Sequence, residues 1–246
     1  MLEINDITVK RGKHTVLDGL SLAADTGLTA VIGKNGCGKS TLVSAVGGTL
    51  AYSGSIRASG REIREMKPRE RARTLTVLPQ MLHSPNVTVH ELIMMGRNAR
   101  IPLGASPTET DMKVCLACAE RVGISDIAGR LVSELSGGER QRAYLSAVLA
   151  AETDILILDE PTAYADMNFA REFISLVSNV AQAQKKTVVC VMHDINLAIR
   201  HANRVAVLDN GKIIAADSTE KILETDIIER TFSLARHTTE NAVFFS

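Results

Sequence analysis

The stretch Gly33-Lys34-Asn35-Gly36-Cys37-Gly38-Lys39-Ser40-Thr41 carries the residue types that hold a phosphate chain. The pattern G-x-x-x-x-G-K-S is met by Gly33, Gly38, Lys39 and Ser40, and the glycines let consecutive backbone N–H groups turn toward one anion. Lys39 brings a full positive charge for the outer phosphates, and the Ser40 hydroxyl can ligate a Mg²⁺ that keeps several of its waters. Asp159-Glu160, closing the apolar run Ile155 to Leu158, supplies a second kind of chemistry. An aspartate at the carboxyl end of a buried strand beside a phosphate loop suits the metal's shell. The neighbouring carboxylate, Glu160, then points where a water attacks the terminal phosphate. A third cluster is Leu135-Ser136-Gly137-Gly138-Glu139, in which Ser136 can cap a helix and the glycine amides form another anion-binding helix start.

These groups need a scaffold of alternating strands and helices. The apolar run Leu28 to Ile32 reads as a strand that enters the phosphate loop, and Leu42 to Val46 as part of the helix that leaves it. Upstream, Leu2 to Val9 alternates apolar and polar residues and reads as an edge strand, returned by a turn at Lys10 to Lys13 through Val16-Leu17 to Leu20-Ser21-Leu22 as a small antiparallel sheet. Gly47-Gly48 ends the first helix and Ser53 to Ile56 begins another short strand or hairpin. Arg61 to Arg73 mixes both charges and is split by Pro68, so it reads as two short solvated helices. Thr74 to Leu78 is a strand ending in Pro79-Gln80. Thr88 to Met95, Thr108 to Val122, Ile124 to Gly129 and Arg140 to Ala150 read as a helical lobe inserted into an α/β body. The run Ile155 to Leu158 has the unbroken apolar character of a strand buried on both faces. Helix Phe169 to Gln184, strand Thr187 to Met192, helix Ile195 to Ala202 and strand Val205 to Leu208 continue the alternation. Asn210-Gly211 predicts a hairpin, and Thr219 to Phe232 closes the chain with helix.

Composition limits what this scaffold can serve. At 246 residues with 45% hydrophobic content the chain can bury a full core. Lys plus Arg and Asp plus Glu both number 28, which removes any electrostatic case for nucleic acid or an anionic membrane surface. The start lacks a charged segment followed by an apolar one, and no apolar run is long enough to cross a bilayer, so the expected compartment is the cytosol. The four cysteines are too scattered for a disulfide framework. Cys115 and Cys118 fall within Met112 to Val122, where packing of a helix face explains them better than redox chemistry. Cys37 lies beside Lys39, where a thiolate is favoured and oxidation or alkylation would disable the loop. The histidines show no metal-ligand spacing.

Taken together these residues resemble the ATP-binding cassette (ABC) family along essentially the whole chain. Walker A is Gly33 to Ser40, the Q-loop residue is Gln80, the signature is Leu135 to Glu139, Walker B is Ile155 to Asp159 with Glu160, the D-loop aspartate is Asp166 and the switch histidine is His193. The resemblance implies an α/β fold: a P-loop NTPase (RecA-like) core with an N-terminal antiparallel β subdomain and an inserted α-helical subdomain at approximately 88–150, all within one cassette spanning 1–246. It implies ATP and Mg²⁺ as cofactors, with Ser40, Gln80 and Asp159 at the metal and Glu160, His193 and Lys39 in catalysis. Nucleotide contacts are implied for Gly33, Asn35, Gly36, Cys37, Gly38, Lys39, Ser40 and Thr41 and for Gln80. A second copy packed head to tail would add Ser136, Gly137, Gly138, Glu139 and Asp166. Membrane permease subunits, at whose cytoplasmic face the cassette would sit, and an extracytoplasmic substrate-binding protein are the other implied partners; nucleic acid is not.

Three positions depart from the family's pattern. The turn that usually carries an adenine-stacking aromatic reads Lys10-Arg11-Gly12-Lys13-His14, leaving Arg11 or His14 for that contact. The signature ends in Glu139 where glutamine is commonest, and the D-loop reads Tyr164-Ala165-Asp166. Within the family, Leu78-Pro79-Gln80, Thr88-Val89-x-Glu91-Leu92, Gly96-Arg97 and Asp159-Glu160-Pro161-Thr162-x-Tyr164 look like importers of metal chelates such as iron–siderophore, haem or vitamin B12. An exporter cassette and a soluble ABC ATPase such as an iron–sulfur assembly factor are the alternatives. The stretch from Gln80 to Leu103 would form the permease dock, with Ile93, Met94 and Met95 either on that surface or in the core of the helical lobe.

Overall fold

The computed structural model describes residues 1–163, 165–239 and 242–246. Strand β1 (Leu2–Arg11) folds back on β2 (His14–Ala24); β3 (Gly27–Ile32) then enters the phosphate loop and α1 (Lys39–Val46) leaves it. With β4 (Ser53–Ala58) and β5 (Arg61–Glu62), the first two strands form an antiparallel sheet in the order β2-β1-β4-β5. β1 is therefore an inner strand, which corrects the expectation of an edge. Its apolar residues Leu2, Ile4, Ile7 and Val9 are buried on one face, and alternation reports a covered face rather than the number of strand neighbours.

After a 3₁₀ turn at Ile63–Glu65, α2 (Pro68–Thr74) leads into β6 (Leu75–Leu78), and α3 (Val89–Met95), α4 (Glu109–Val122) and α5 (Gly137–Ala150) follow. Each of these last three helices opens with a reciprocal capping box, Thr88 with Glu91, Thr108 with Asp111 and Ser136 with Glu139. The hydroxyl and the carboxylate satisfy helix-end amides that would otherwise lack partners. The cap starts α5 at Gly137, ahead of the Arg140 expected from apolar periodicity. Arg97 joins the three helices: its guanidinium donates to Asp111 at 3.0 Å and to the Ala150 carbonyl at 2.8 Å. The stretch Ile124 to Gly129 contains only a 3₁₀ turn, Ser125–Ile127.

The alternation then runs β7 (Ile155–Asp159), α6 (Met167–Ala183), β8 (Thr187–Met192), α7 (Ile195–His201), β9 (Arg204–Asp209) and β10 (Lys212–Ser218). These strands join β3 and β6 in a second sheet of order β10-β9-β3-β8-β7-β6, parallel except for β10. The closing segment is not one helix: α8 (Thr219–Leu223) and α9 (Ile227–Phe232) are separate, and a hairpin of β11 (Arg236–Thr239) and β12 (Ala242–Phe245) follows. The parallel sheet is buried on both sides. Val31, Ile155, Ile157, Val189, Val191 and Leu208 pack toward the antiparallel sheet and α1, while Ala30, Ile32, Leu156, Leu158, Val188 and Cys190 pack in the core shared with the other helices. The strand order brings the carboxyl ends of β3, β8, β7 and β6 side by side, and open α/β sheets gather their ligands at that edge.

Candidate active site

The phosphate loop between β3 and α1 has the backbone that only its glycines permit. Gly36 and Gly38 have φ of +79° and +112°, values that L side chains resist. A Cβ on Gly33 would stand 2.4 Å from the Leu208 carbonyl oxygen, and one on Gly38 2.7 Å from Leu17 Cδ2. Lys39 is buried, and its Nζ donates to the carbonyls of Gly33 at 2.7 Å and Lys34 at 3.1 Å. The loop thus holds its own cation over the cradle. The turn between β9 and β10 supports it from behind, with the Gly211 amide donating to the Cys37 carbonyl at 3.0 Å. That buttress was not foreseen from the sequence, although the Asn210-Gly211 turn that makes it was. A cleft of about 310 Å³ opens over the loop, lined by Arg11, Asn35, Gly36, Lys39, Ser40 and Glu160 among others.

Cys37 corrects one expectation. Burial pushes its thiol up from the ordinary cysteine value, and the nearby Lys39 charge only partly opposes this. Packed against Gly33, the side chain is a buried thiol rather than a thiolate. Cys115 and Cys118 are also buried, on α4, and burial pushes Cys115 up to about 11, as helix-face packing requires.

Asp159 closes β7. The Ser40 hydroxyl donates to its carboxylate, while its Oδ1 is buried with no partner. Burial first, and then the charge of Glu160, hold this carboxyl above the usual aspartate range. A buried acceptor left open beside a hydroxyl and a phosphate loop fits a hard divalent cation. Among the described residues no group of three or more His, Cys, Asp and Glu could hold a metal, so such a cation would draw its remaining ligands from phosphate oxygens and water.

Glu160 is the centre of the arrangement. Its φ is +48°, a strained value for a residue with a side chain, held by an amide hydrogen bond to the Val191 carbonyl at 3.1 Å. The carboxylate is buried between two other strand ends: Gln80 Nε2, beyond β6, donates to Oε2 at 2.6 Å, and His193 Nε2, beyond β8, lies 2.7 Å from Oε1. Of the residues singled out from sequence, Lys39, Ser40, Gln80, Asp159, Glu160 and His193 therefore converge on one edge of the sheet. Arg11 borders the same cleft from the exposed end of β1, where it pairs with His14.

The signature residues lie elsewhere. Ser136 and Glu139 form the cap of α5, the Glu139 amide donating to Ser136 Oγ at 3.3 Å and the Ser136 amide to Glu139 Oε2 at 2.8 Å. The side chain and amide of Ser136, and then Arg130 at 3.2 Å, hold the Glu139 carboxyl below its usual range. Gly137, Gly138, Gln80, Asp166 and Phe169 border a separate cleft of about 460 Å³. Asp166 caps α6, accepting from the Phe169 amide at 2.9 Å. Among the described residues no hydrogen bond or ion pair joins Ser136 to Glu139 with the phosphate loop. Tyr164 lies outside the described residues. Ile93 is core, Met94 packs against it, and Met95 is exposed.

The sequence matches the ABC transporter family over residues 17–163. It is 35% identical over 231 residues to the ferric enterobactin transport ATP-binding protein FepC of Escherichia coli, covering 93% of this chain and 85% of that one. It is 36% identical over 243 residues to the hemin import ATP-binding protein HmuV of Myxococcus xanthus, covering 95% and 90%. Among solved structures, an inward-facing transporter assigned to the metal-chelate ABC type superposes with a TM-score of 0.82 at 25% identity, over 99% of this chain and 95% of the other.

Proposed function

The chain belongs to the ABC transporter family, and from that premise we propose that it is the ATP-hydrolysing subunit powering import of a metal chelate, of the siderophore or haem class, through a separate permease. The observation that carries the reading is the Glu160 carboxylate, held at 2.6 Å by Gln80 and 2.7 Å by His193 at the edge of the phosphate-loop cleft. The class of cargo follows the relatives, which are named for ferric enterobactin and for hemin.

In this reading the amides of the phosphate loop and the amino end of α1 hold the β- and γ-phosphates of ATP. Lys39 exchanges the Gly33 and Lys34 carbonyls for phosphate oxygens, which are charged and therefore stronger acceptors. Ser40, the open Oδ1 of Asp159 and the amide oxygen of Gln80 would hold Mg²⁺, whose charge offsets what builds on the β- and γ-oxygens. Glu160 takes the proton of the attacking water, and His193 steadies that water and the γ-phosphate. Both oxygens of Glu160 are engaged in the present arrangement, so Gln80 has to release Oε2 before the carboxylate can act as a base.

Ser136, Gly137, Gly138 and Glu139 make an anion-ready helix start with no bond to the phosphate loop of their own chain. We assign them, with Asp166, to the nucleotide of a second copy packed head to tail. No helix among the described residues is long and apolar enough to cross a membrane. The permease would dock at its cytoplasmic face on the segment from Gln80 to Leu103, where Met81, Met95 and Leu103 are exposed, and a substrate-binding protein outside would deliver the chelate.

The test is Mg²⁺-dependent ATP hydrolysis by the full chain beside Glu160→Gln. The variant should lose about 10² to 10⁴ in turnover, the usual contribution of one positioned acid or base, and should accumulate as an ATP-bound dimer. Normal hydrolysis by the variant would remove Glu160 from the catalytic role.

A further inference from the structure

We infer that Asn196, gripping the hairpin of β11 and β12, positions His193 over Glu160. The inference rests on the catalytic reading of those two residues. His193 stands between β8 and α7 with its side chain 48% exposed, and its one polar contact among the described residues is the 2.7 Å approach to Glu160. Side-chain packing therefore does not hold the ring, and the backbone on either side must. On one side, β8 is fixed by parallel pairing with β3 and β7. On the other side, α7 has only seven residues, too few to hold a helix without tertiary support.

Three kinds of support reach α7. Asp194 caps it, accepting from the Leu197 amide at 2.9 Å; Ile195, Leu197 and Ala198 are buried; and the Ser178 hydroxyl donates to the His201 carbonyl at 3.0 Å at its far end. Asn196 adds a fourth at the outer side of its first turn. Asn196 Nδ2 donates to the Phe245 carbonyl at 3.0 Å, and its Oδ1 accepts from the Phe245 amide at 2.8 Å. This two-point pairing copies the exchange between antiparallel strands, and it needs a donor and an acceptor on one short side chain. The hairpin is itself anchored. Phe245 is buried in the core beside α7, with the Arg236 guanidinium over its ring at 5.7 Å. Arg236 also donates to the Leu223 carbonyl at 2.6 Å and to Glu229 at 3.2 Å, so α8 and α9 hold the strand that holds Asn196. A side chain three residues after His193 thus couples the switch residue to the last elements of the fold.

The experiment measures steady-state ATPase, affinity for a fluorescent ATP analogue and Tm for the full chain and for Asn196→Ala, Asn196→Asp, His237→Ala and Glu160→Gln. Asn196→Asp keeps the acceptor for the Phe245 amide and loses the donor. His237→Ala removes the 2.7 Å contact to Ser246 and the stacking on Phe244 on the exposed side of the hairpin, and leaves in place Phe245 and Arg236, which seat Asn196. Asn196→Ala should lower kcat roughly tenfold with KM and analogue affinity held within about twofold, because a displaced catalytic side chain costs rate rather than ground-state binding. Asn196→Asp should fall between, His237→Ala should keep kcat, and the His193 ring resonances should move in the Asn196 variants only. Unchanged kcat in Asn196→Ala, or losses in Asn196→Ala and His237→Ala that simply follow Tm, would overturn the inference. Where Glu160→Gln is inactive and Asn196→Ala is normal, only this inference falls; where Glu160→Gln still hydrolyses ATP, the catalytic reading falls with it.

Discussion

Asp159 is held in a state that disfavours the empty fold. Its Oδ1 is buried without a partner, the Glu160 carboxylate is adjacent, and both burial and that charge raise its proton affinity. Removing the charge while keeping the shape should relieve the fold. Asp159→Asn is accordingly expected to raise the Tm of the nucleotide-free chain by a few degrees, at about 2–4 °C for each kcal/mol in a protein of this size, while Mg²⁺-dependent hydrolysis is lost. Calorimetry without nucleotide checks the first outcome, and an unchanged or lower Tm would mean that the carboxylate is not strained. The placement of Asp159 beside the phosphate loop was legible in the sequence, because such a loop and a strand-end carboxylate are matters of local spacing. The contact of Glu160 with Gln80 and His193 was not, since the three residues sit at the ends of β7, β6 and β8 and meet only through the strand order. Cys37 shows the same limit. Its closeness to Lys39 could be read from the chain, but the burial that outweighs that charge could not.

Elements were read best where burial leaves a pattern. The run Thr187–Met192 is apolar enough to show as a strand covered on both faces, and it is β8 with those bounds. β11 reads Arg236-His237-Thr238-Thr239 and is largely exposed, so no apolar stripe announced that strand of the closing hairpin, although its partner β12 is apolar throughout. The Asn210-Gly211 turn lies between these cases, because its shape was visible and its use was not. The Gly211 amide donates to the Cys37 carbonyl at 3.0 Å, its carbonyl accepts from the Asp18 amide at 3.1 Å, and a Cβ there would stand 2.3 Å from the Val16 carbonyl oxygen at φ +77°. Gly211→Ala should therefore cost roughly 1–2 kcal/mol in backbone conformation plus the displacement of β2 from the turn. Since the turn supports the phosphate loop, KM for ATP should rise several-fold as Tm falls. A variant that loses Tm at unchanged KM would show that the turn serves the fold and not the loop.

Among the described residues the molecule presents two anion-ready helix starts, α1 with a lysine and α5 without one; no hydrogen bond or ion pair joins Ser136 to Glu139 with the phosphate loop, and the two clefts meet only where Gln80 donates to Glu160. If each nucleotide is held between the loop of one chain and the signature of another, lesions in the two halves have different addresses. Lys39→Ala disables only the site built on its own loop. Ser136→Asp disables only the site the chain completes on its partner: aspartate still caps α5, so the helix survives, while its charge repels the γ-phosphate. Each variant alone should be inactive, because every site in its homodimer carries a lesion. In a dimer of the two, both lesions fall in one site and the other is assembled from an intact loop and an intact signature. Mixing the inactive proteins should therefore restore ATPase activity. A chain that worked alone would give no such recovery, since every molecule in the mixture would still carry its own defect, and an inactive mixture of well-folded variants would exclude the shared site.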